Sequence, residues 1–200
     1  MRGQVVQIQK PFKLAKHEVT FEEYDRFALA TGARRPNDFG WGRKHQPVID
    51  VSWEDAATYA EWLSRETGKR YRLPTEAEWA YAAGKAEMSA AHKYEYAAAA
   101  VKRLHRTQLV GTKKPNDLGL YDMSGNVWEW VEDCWHENYN HAPPSGQAWM
   151  AENDGDCGKR VARGGSWDNY PQVRLASRRG WYDLRTRNSV VGFRLAQDID

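Results

Sequence analysis

Two cysteines and two histidines occur close together in the second half of the chain, and all four side chains can bind metals. They are Cys134, His136, His141 and Cys157. A zinc site is one interpretation, but the CxH and HxxxxH spacings match no common structural zinc site. Two cysteines are too few for a disulfide scaffold, so free thiols are expected. A bridge between the two cysteines stays open as an alternative, and it would staple the proline-containing loop between them.

The run LYDMSGNVWEW contains oxygen ligands of the kind that hard cations prefer. Asp122 and Glu129 would supply carboxylates, and the backbone carbonyls of Gly125 and Val127 lie between them. The alternative is a tight turn followed by a core strand that carries tryptophans. The sequence therefore predicts a calcium site at Asp122, Gly125, Val127 and Glu129, with a structural turn as the competing interpretation.

Arginines cluster near the C-terminus and make that stretch locally basic. They are Arg174, Arg178, Arg179, Arg185 and Arg187. A basic cluster raises nucleic acid as a target. No stacking-aromatic motif of a known nucleic-acid module accompanies it, and arginine is also common where a core needs charged donors. We therefore expect no nucleic-acid partner.

The elements that must position these residues begin with three copies of one helix-start pattern. A hydroxyl side chain caps free amides, and an acid three residues later reaches back to the cap. Apolar residues at helical spacing follow each cap, and Gly32 and Gly68 provide C-terminal stops. The pairs are Thr20 with Glu23, Ser52 with Asp55, and Thr75 with Glu78.

From about Gly111 onward, short β-like runs are broken by Gly, Asn, Asp and Pro. This pattern predicts a hairpin-rich sheet with long loops. The segment from Lys85 to Thr107 is interpreted as a helical or irregular connector. Helices followed by strands, with no repeat and no clear linker, predict one α+β domain over residues 1–200.

Length and composition limit the classes of function. The chain has 200 residues, 41% of them hydrophobic, with ten tryptophans and ten tyrosines, which is enough for one good-sized core. A net charge of +2 creates no global attraction to nucleic acid or membranes. No apolar run approaches the roughly 18 residues of a membrane span, and the start MRGQVVQIQKPF lacks the apolar region of a signal peptide. Synthesis in the cytoplasm is expected, with display on a virion or cell surface only through a partner.

Five segments together resemble the formylglycine-generating-enzyme-like (sulfatase-modifying factor) family. The resemblance implies a variant of the C-type lectin fold, with helices in the N-terminal half and the sheet in the C-terminal half. It also implies calcium at the positions matching the Asp122 to Glu129 set. A second calcium site of the family's enzymes would lie in the connector, but the Ala-rich connector does not match it, so none is expected there. The segments are HEVTFEEYDRF, PVIDVSWEDAATYAEWLS, YRLPTEAEWAYAA, LGLYDMSGNVWEW, and RGGSW with the terminal GFRLA.

The enzymes of this family bind copper through two cysteines that follow the GGS(Y/W) motif. These positions correspond to Asn169 and Arg174 here, and neither residue can form the thiolate that copper(I) needs. Cys134 and Cys157 lie upstream of the motif and do not replace the pair. We therefore expect no copper, no formylglycine generation, and a protein that is not an enzyme.

A second branch of the same fold comprises the variable proteins of diversity-generating retroelements, whose C-terminal residues are mutagenised at template adenines. Randomised asparagine codons never produce Lys, Glu, Gln, Met or Trp. From Asp168 to Val191 only Gln172 and Trp181 belong to these types, whereas ordinary usage predicts about 6 such residues in 24. The depletion favours the variable-protein branch.

The segment 164–194, the proposed variable segment, is expected to divide into scaffold and surface. The scaffold, with the preceding arginine, would comprise Arg163, Gly164, Gly165, Trp167, Phe193 and Arg194. The intervening residues are expected to face solvent as a ligand-binding patch, because Tyr, Trp and Arg carry most binding energy at interfaces. The patch would comprise Asp168, Asn169, Tyr170, Val173, Ser177, Arg179, Trp181, Tyr182, Leu184 and Ser189.

The sequence thus predicts a ligand-binding protein that presents a diversified surface on a rigid scaffold, encoded by a phage or prokaryote. Its ligand would be an unknown protein or cell-surface molecule. One alternative is a catalytic or accessory member of the family with an unassigned activity. Another is a structural interaction module with a fixed partner.

Overall fold

The computed structural model describes residues 6–87, 105–169 and 177–199, and the side chains of residues 85–87 are not among those described. Most of the predicted connector therefore lies outside the described residues. So do Tyr170 and Val173 of the predicted patch, together with Gln172 and Arg174.

The three predicted helices are confirmed, and each begins at its predicted cap. They are α1 (Phe21–Thr31), α2 (Trp53–Thr67) and α3 (Glu76–Glu87). At the start of α3 the backbone N–H of Glu78 donates to Thr75 Oγ1 at 3.1 Å, and the N–H of Thr75 donates to Glu78 Oε2 at 2.8 Å. Such reciprocal bonds satisfy amides that have no partner inside the helix. Gly84 interrupts α3 with a φ of 80°, a conformation that glycine adopts without strain.

The strands form two sheets. A three-stranded antiparallel sheet contains β1 (Phe12–Leu14), β2 (Tyr71–Arg72) and β7 (Ala196–Asp198), in the order β1-β7-β2. The helix pattern of the N-terminal half did not indicate β1 or β2. Because β7 lies between them, this sheet joins the beginning and the end of the described chain.

A four-stranded sheet carries most of the C-terminal half. It contains β3 (Trp128–Trp135), β4 (Asp156–Arg163), β5 (Arg179–Asp183) and β6 (Val191–Phe193), in the order β5-β4-β3-β6. The pairings are antiparallel except for β3 with β6, which is parallel. Strand β5 therefore has one hydrogen-bonded neighbour within its sheet.

Hydrophobic clusters cover both faces of the four-stranded sheet. Trp130 of β3 packs in the larger cluster with aromatic side chains of α1 and α2, whereas Val131 packs in a smaller cluster around Trp79 of α3. Alternate side chains of a strand point to opposite faces, so neighbouring residues enter different clusters. The sheet is thus held from both sides. No helix among the described residues is long and apolar enough to cross a membrane.

Candidate ligand-binding surface

The proposed variable segment begins at two glycines in the left-handed region. Gly164 and Gly165 have φ values of 93° and 75° and are buried. A Cβ at Gly164 would lie 3.2 Å from Trp79 Cζ2 and 3.3 Å from the carbonyl oxygen of Met123. The close approach of the backbone to α3 and to the loop before β3 explains why glycine is needed here.

Arg194, at the other end of the segment, forms a fully buried ion pair. Its Nε and Nη2 donate to the two carboxylate oxygens of Glu129, both at 2.6 Å, and Trp79 Nε1 donates to Glu129 Oε2 at 2.6 Å. Phe193 is also buried, so the predicted scaffold roles of Phe193 and Arg194 are confirmed. Burial would be costly for either charge alone, and the bidentate geometry compensates both.

Trp167 differs from its predicted place in the core. Its ring is half-buried and meets Trp41 edge-on with the ring centres 5.2 Å apart. Its indole Nε1 donates to the carbonyl oxygen of Ser189 at 2.9 Å. Trp167 therefore joins residues near the two ends of the segment 164–194 at the surface and does not fill the interior.

Neighbouring side chains of strand β5 point to opposite faces of the sheet, and they differ in burial. Trp181 is 42% exposed, whereas its neighbour Tyr182 is half-buried and packs against Trp130 with ring centres 5.9 Å apart. Burial also raises the pKa of the Tyr182 hydroxyl. The residues thus have a strand period that the sequence reading did not detect, and Tyr182 supports the core.

Apart from Trp181, the described patch residues fall into two groups by exposure. Asp168 and Ser177 are exposed. The others are half-buried and help to shape the backbone; for example, Asn169 Oδ1 accepts the N–H of Ser166 at 2.8 Å, and the carbonyl of Leu184 accepts the N–H of Trp53 at 3.1 Å. The half-buried group is Asn169, Arg179, Tyr182, Leu184 and Ser189.

Trp181 belongs to a row of aromatic and cationic side chains that crosses the sheet. Lys159 Nζ lies 4.6 Å from the centre of the Trp181 ring, and the centres of the Trp135 and Trp181 rings are 6.2 Å apart. Arg179 then lies 4.1 Å from the Trp135 ring and 4.9 Å from the Tyr139 ring. We call this set the tryptophan row; it comprises Lys159, Trp181, Trp135, Arg179 and Tyr139.

The sequence identified Arg179 and Trp181 but missed the other three members of the tryptophan row. Lys159 is on β4, Trp135 ends β3, and Tyr139 is in the loop that follows. Only the pairing of β3, β4 and β5 brings them together. These three residues could have been predicted to lie near Trp181 only from the register of β3 and β4. The bulges between the two strands obscure that register in the sequence.

Glu76 holds the inner end of the tryptophan row in place. Arg179 Nε lies 2.9 Å and 3.0 Å from the two carboxylate oxygens of Glu76, and the Tyr139 hydroxyl donates to Glu76 Oε1 at 2.6 Å. Arg163 Nη1 donates to the same oxygen at 3.2 Å, and Arg179 Nη1 donates to the carbonyl of His136. Arg163 is thus the buried donor that was predicted, and Arg179 is oriented before any ligand arrives.

Asp133 lies beside this cluster and was not singled out in the sequence. Its Oδ2 accepts the N–H of Glu76 at 2.7 Å, and its Oδ1 accepts the N–H of Trp149 at 2.9 Å. Burial, reinforced by the negative charge of Glu76, raises the pKa of the Asp133 carboxyl to about 7. The group is therefore partly protonated at neutral pH.

The predicted calcium ligands make contacts that compete with a cation. Both oxygens of Glu129 are bonded to Arg194, and Asp122 Oδ2 accepts the N–H of Gly111 at 2.7 Å. A calcium ion beside a buried guanidinium is electrostatically unfavourable, so Glu129 as placed fits calcium poorly. Within residues 6–87, 105–169 and 177–199, no group of three His, Cys, Asp or Glu side chains could hold a metal. Calcium binding stays a prediction, which thermal unfolding with and without a chelator tests.

Cys134 and Cys157 form a disulfide with a Cα–Cα distance of 4.5 Å, so the expectation of free thiols is wrong. The antiparallel pairing of β3 with β4 places the start of β4 opposite the end of β3, which the sequence spacing did not reveal. His136 stacks on Trp149 with ring centres 3.5 Å apart, and its Nε2 lies 2.8 Å from the carbonyl of Glu152. These residues therefore form no zinc site.

Part of the basic tail is paired with acids at the start of α2. Arg187 lies 2.8 Å from an oxygen of Asp55, and Arg185 lies 3.5 Å from an oxygen of Glu54. Both arginines therefore help to anchor the loop between β5 and β6. Such contacts give them a structural role on this side of the molecule.

Comparison with known proteins identifies the family of this chain. The Sulfatase-modifying factor enzyme 1-like domain matches residues 3–199, and the chain belongs to that family. The chain is 33% identical over 181 residues to the formylglycine-generating enzyme of Streptomyces coelicolor, covering 80% of this chain and 55% of the enzyme. It is 35% identical over 165 residues to the serine/threonine-protein kinase pkn1 of Chlamydia pneumoniae, covering 80% of this chain and 25% of the kinase. The chain thus spans a quarter to about half of these two relatives.

Solved structures agree with the predicted fold. PvdO from Pseudomonas aeruginosa superposes with a TM-score of 0.83 at 32% identity, covering 97% of this chain and 83% of PvdO. Treponema denticola variable protein 1 superposes with a TM-score of 0.71 at 26% identity, covering 94% of this chain and 84% of that protein. The predicted α+β fold of the C-type lectin type is confirmed.

Proposed function

We propose that this chain is a ligand-binding protein that presents a diversified surface on a rigid scaffold, as a diversity-generating-retroelement variable protein. The observation that carries the proposal is the exposed Trp181, whose ring lies near both Lys159 and Trp135 in the tryptophan row. Tryptophan and arginine held in a fixed orientation are the side chains that dominate binding energy at interfaces.

The scaffold supports this function because the segment that would vary is fixed at both ends by buried contacts. Gly164 is packed against Trp79, and Arg194 is bonded to Glu129. Exposed side chains between them, such as Asp168 and Ser177, can change with little effect on the fold, which is what diversification requires. Tryptophan cannot arise from a randomised asparagine codon, so Trp181 would be a constant anchor among varying neighbours.

The alternative is a catalytic or accessory member of the family, and two observations favour it. The formylglycine-generating enzyme of Streptomyces coelicolor is 33% identical to this chain. Asp133 also has the pKa of about 7 that suits acid–base chemistry near neutral pH. Asn169 and Arg174, at the positions of the copper-binding cysteines implied by the resemblance, exclude the family's copper chemistry from this alternative.

A binding screen with a matched pair of variants tests the first proposal. Wild type, Trp181→Ala and Phe39→Ala are screened against an array of bacterial surface proteins and glycans. Phe39 is a suited control because it is 44% exposed, close to the 42% of Trp181, and lies outside the tryptophan row. We expect hits that Trp181→Ala loses by tenfold or more, about 1.4 kcal/mol, and that Phe39→Ala retains. Equal loss in both variants, or no effect of Trp181→Ala, contradicts the proposal.

The coding DNA provides an independent test of diversification. A near-copy of the 3′ end that differs at adenines, beside a reverse transcriptase gene, is the expected finding. Identical residues at Ser177, Tyr182 and Ser189 in close relatives would instead favour a module with a fixed partner. Turnover of a substrate that depends on Asp133 would favour the catalytic alternative.

A further inference from the structure

A cleft lies beside the inner end of the tryptophan row. It has a volume of about 930 Å³ and is formed by the segment 6–12, the first turns of α3 and the loop 139–149. Protein sites for small molecules typically enclose about 300–1,000 Å³. The cleft is therefore large enough for a small-molecule ligand.

The walls of the cleft are apolar and its polar groups are concentrated around Glu76. The apolar walls include Ile8, Phe12, Ala77, Ala80 and Pro143. The polar groups that line it include Glu76, Asp133, Tyr139 and Arg163. An apolar cavity with a few convergent polar groups is the arrangement that recognises one end of an amphipathic molecule.

Trp149 also lines the cleft, and its indole N–H lacks an acceptor within the described residues. The residue is 5% exposed, and its indole Nε1 makes no hydrogen bond within the described part of the chain. A buried donor without an acceptor costs about 1–3 kcal/mol. An acceptor oxygen of a ligand would remove this cost.

The charges around Glu76 favour an anion. Arg163 and Arg179 both pair with Glu76. The other nearby acid, Asp133, is partly neutral at pH 7 because burial raises its pKa. A ligand carboxylate can accept hydrogen bonds from the guanidinium of Arg163, which lines the cleft.

We propose that the cleft binds a small apolar carboxylate, whose oxygens face Trp149 and Arg163 and whose body packs along Ala77 and Ala80. This site goes beyond the surface proposed above. It shares Tyr139 with the tryptophan row, but most of its walls come from α3 and the segment 6–12, outside the variable segment.

Binding of defined probes to the full chain tests the proposal. The probes are phenylacetate, indole-3-acetate and octanoate, each compared with its primary amide by isothermal titration and by ligand-observed NMR. Two variants change the cleft: Trp149→Phe removes the free N–H and keeps an aromatic ring, and Ala80→Phe fills the apolar wall. Ala30→Phe is the matched control, because Ala30 is exposed on α1 and does not line the cleft.

We expect at least one carboxylate to bind at least fivefold more tightly than its amide. Trp149→Phe should weaken that binding about tenfold or more, in line with the loss of one hydrogen bond to an anion. Ala80→Phe should abolish it, and Ala30→Phe and Trp181→Ala should leave it unchanged. Circular dichroism and thermal unfolding establish that each variant is folded.

Three outcomes would overturn the proposal. They are equal binding of acids and amides, undiminished binding by Ala80→Phe, and no binding of any probe at millimolar concentration to folded wild type. Failure here leaves the function proposed for Trp181 untouched, because the Trp181→Ala screen uses a different surface and different ligands. If Trp149→Phe does not fold, the comparison of acids with amides and the Ala80→Phe variant still test whether the cleft binds a carboxylate.

Discussion

The molecule contains two clusters in which an arginine meets a glutamate beside a tryptophan, and they differ in access to solvent. In the inner cluster the side chains of Arg194 and Glu129 are 0% and 1% exposed. In the outer cluster those of Arg179 and Glu76 are 11% and 8% exposed, and Arg179 leads through the tryptophan row to an exposed tryptophan. The inner cluster ties the end of the chain to the sheet, whereas the outer one borders both proposed binding sites.

The comparison shows that residue type alone does not tell whether an arginine–glutamate pair stabilises the fold or borders a proposed binding site. Glu129 has a single arginine partner, with Glu18 buried nearby, and desolvation raises the pKa of Glu18 well above its ordinary value. Glu76 by contrast is shared by two arginines and a tyrosine. Loss of Arg194 would therefore leave Glu129 without an arginine, whereas Glu76 keeps one arginine when the other is removed.

The largest expected effect comes from removing each arginine in turn. Arg194→Met leaves Glu129 buried and unpaired, which should lower the free energy of unfolding by about 3–5 kcal/mol. Arg179→Met leaves Glu76 with Arg163 and Tyr139, so we expect a loss of about 1–2 kcal/mol. Urea unfolding measures both, with the exposed pair variant Arg26→Met as a control that changes little. An equal or larger loss for Arg179→Met would abolish the distinction between the two clusters.

The disulfide should contribute next, because it closes the loop that supplies Tyr139 to the outer cluster. The double variant Cys134→Ala, Cys157→Ala is expected to lose about 3 kcal/mol of unfolding free energy, as for a loop of its size. Thermal unfolding with a thiol reductant should lower the midpoint of wild type and not that of the double variant. A reductant-insensitive wild type would show that the bridge adds little.

Asp133 should make stability depend on pH. Its pKa of about 7 in the folded state lies above the value of 3.8 for a free carboxyl, so between pH 4 and pH 7 the folded state holds a proton that the unfolded state has released. Stability from this group therefore falls as pH rises through that window. Asp133→Asn should flatten the slope by about 1 kcal/mol per pH unit in urea titrations.

The matched control for this slope is Asp156→Asn. The ammonium of Lys159 holds the pKa of the Asp156 carboxyl below its usual value, so its titration is complete below that window. Its removal should leave the slope between pH 5 and pH 7 unchanged. A slope in Asp133→Asn equal to that of wild type would assign the pH dependence to other buried acids, such as Glu18.

The smallest loss of unfolding free energy is expected at Trp181, and its neighbour Tyr182 should show a larger loss. Trp181→Ala should cost less than about 1 kcal/mol, because the ring is 42% exposed. Tyr182→Ala should cost about 2–3 kcal/mol, because its ring packs on Trp130 in the core. Thermal and urea unfolding of the two single variants measure the contrast, and a reversed order would mean that the side of β5 that binds ligand has been misassigned.

Local features of this chain could be predicted because their physics is local. The capping boxes at Thr20, Ser52 and Thr75 depend on residues three positions apart, and all three formed as expected. Burial of Arg194 followed from the family motif that contains it. The exposed side of β5 did not follow, because the segment 168–191 has no clear alternation of apolar and polar residues.

The sequence by itself thus determined the family, the fold class, the helix starts and the positions where glycine or a buried arginine is needed, since each depends on neighbours in the chain or on a shared motif. Only the tertiary structure decided which arginine is scaffold and which borders the proposed binding surface. It also decided that the cysteines are joined, that Trp135, Tyr139 and Lys159 stand beside Trp181, and that Asp133 holds its proton near pH 7. These properties depend on strand register and burial, which bring together residues far apart in sequence.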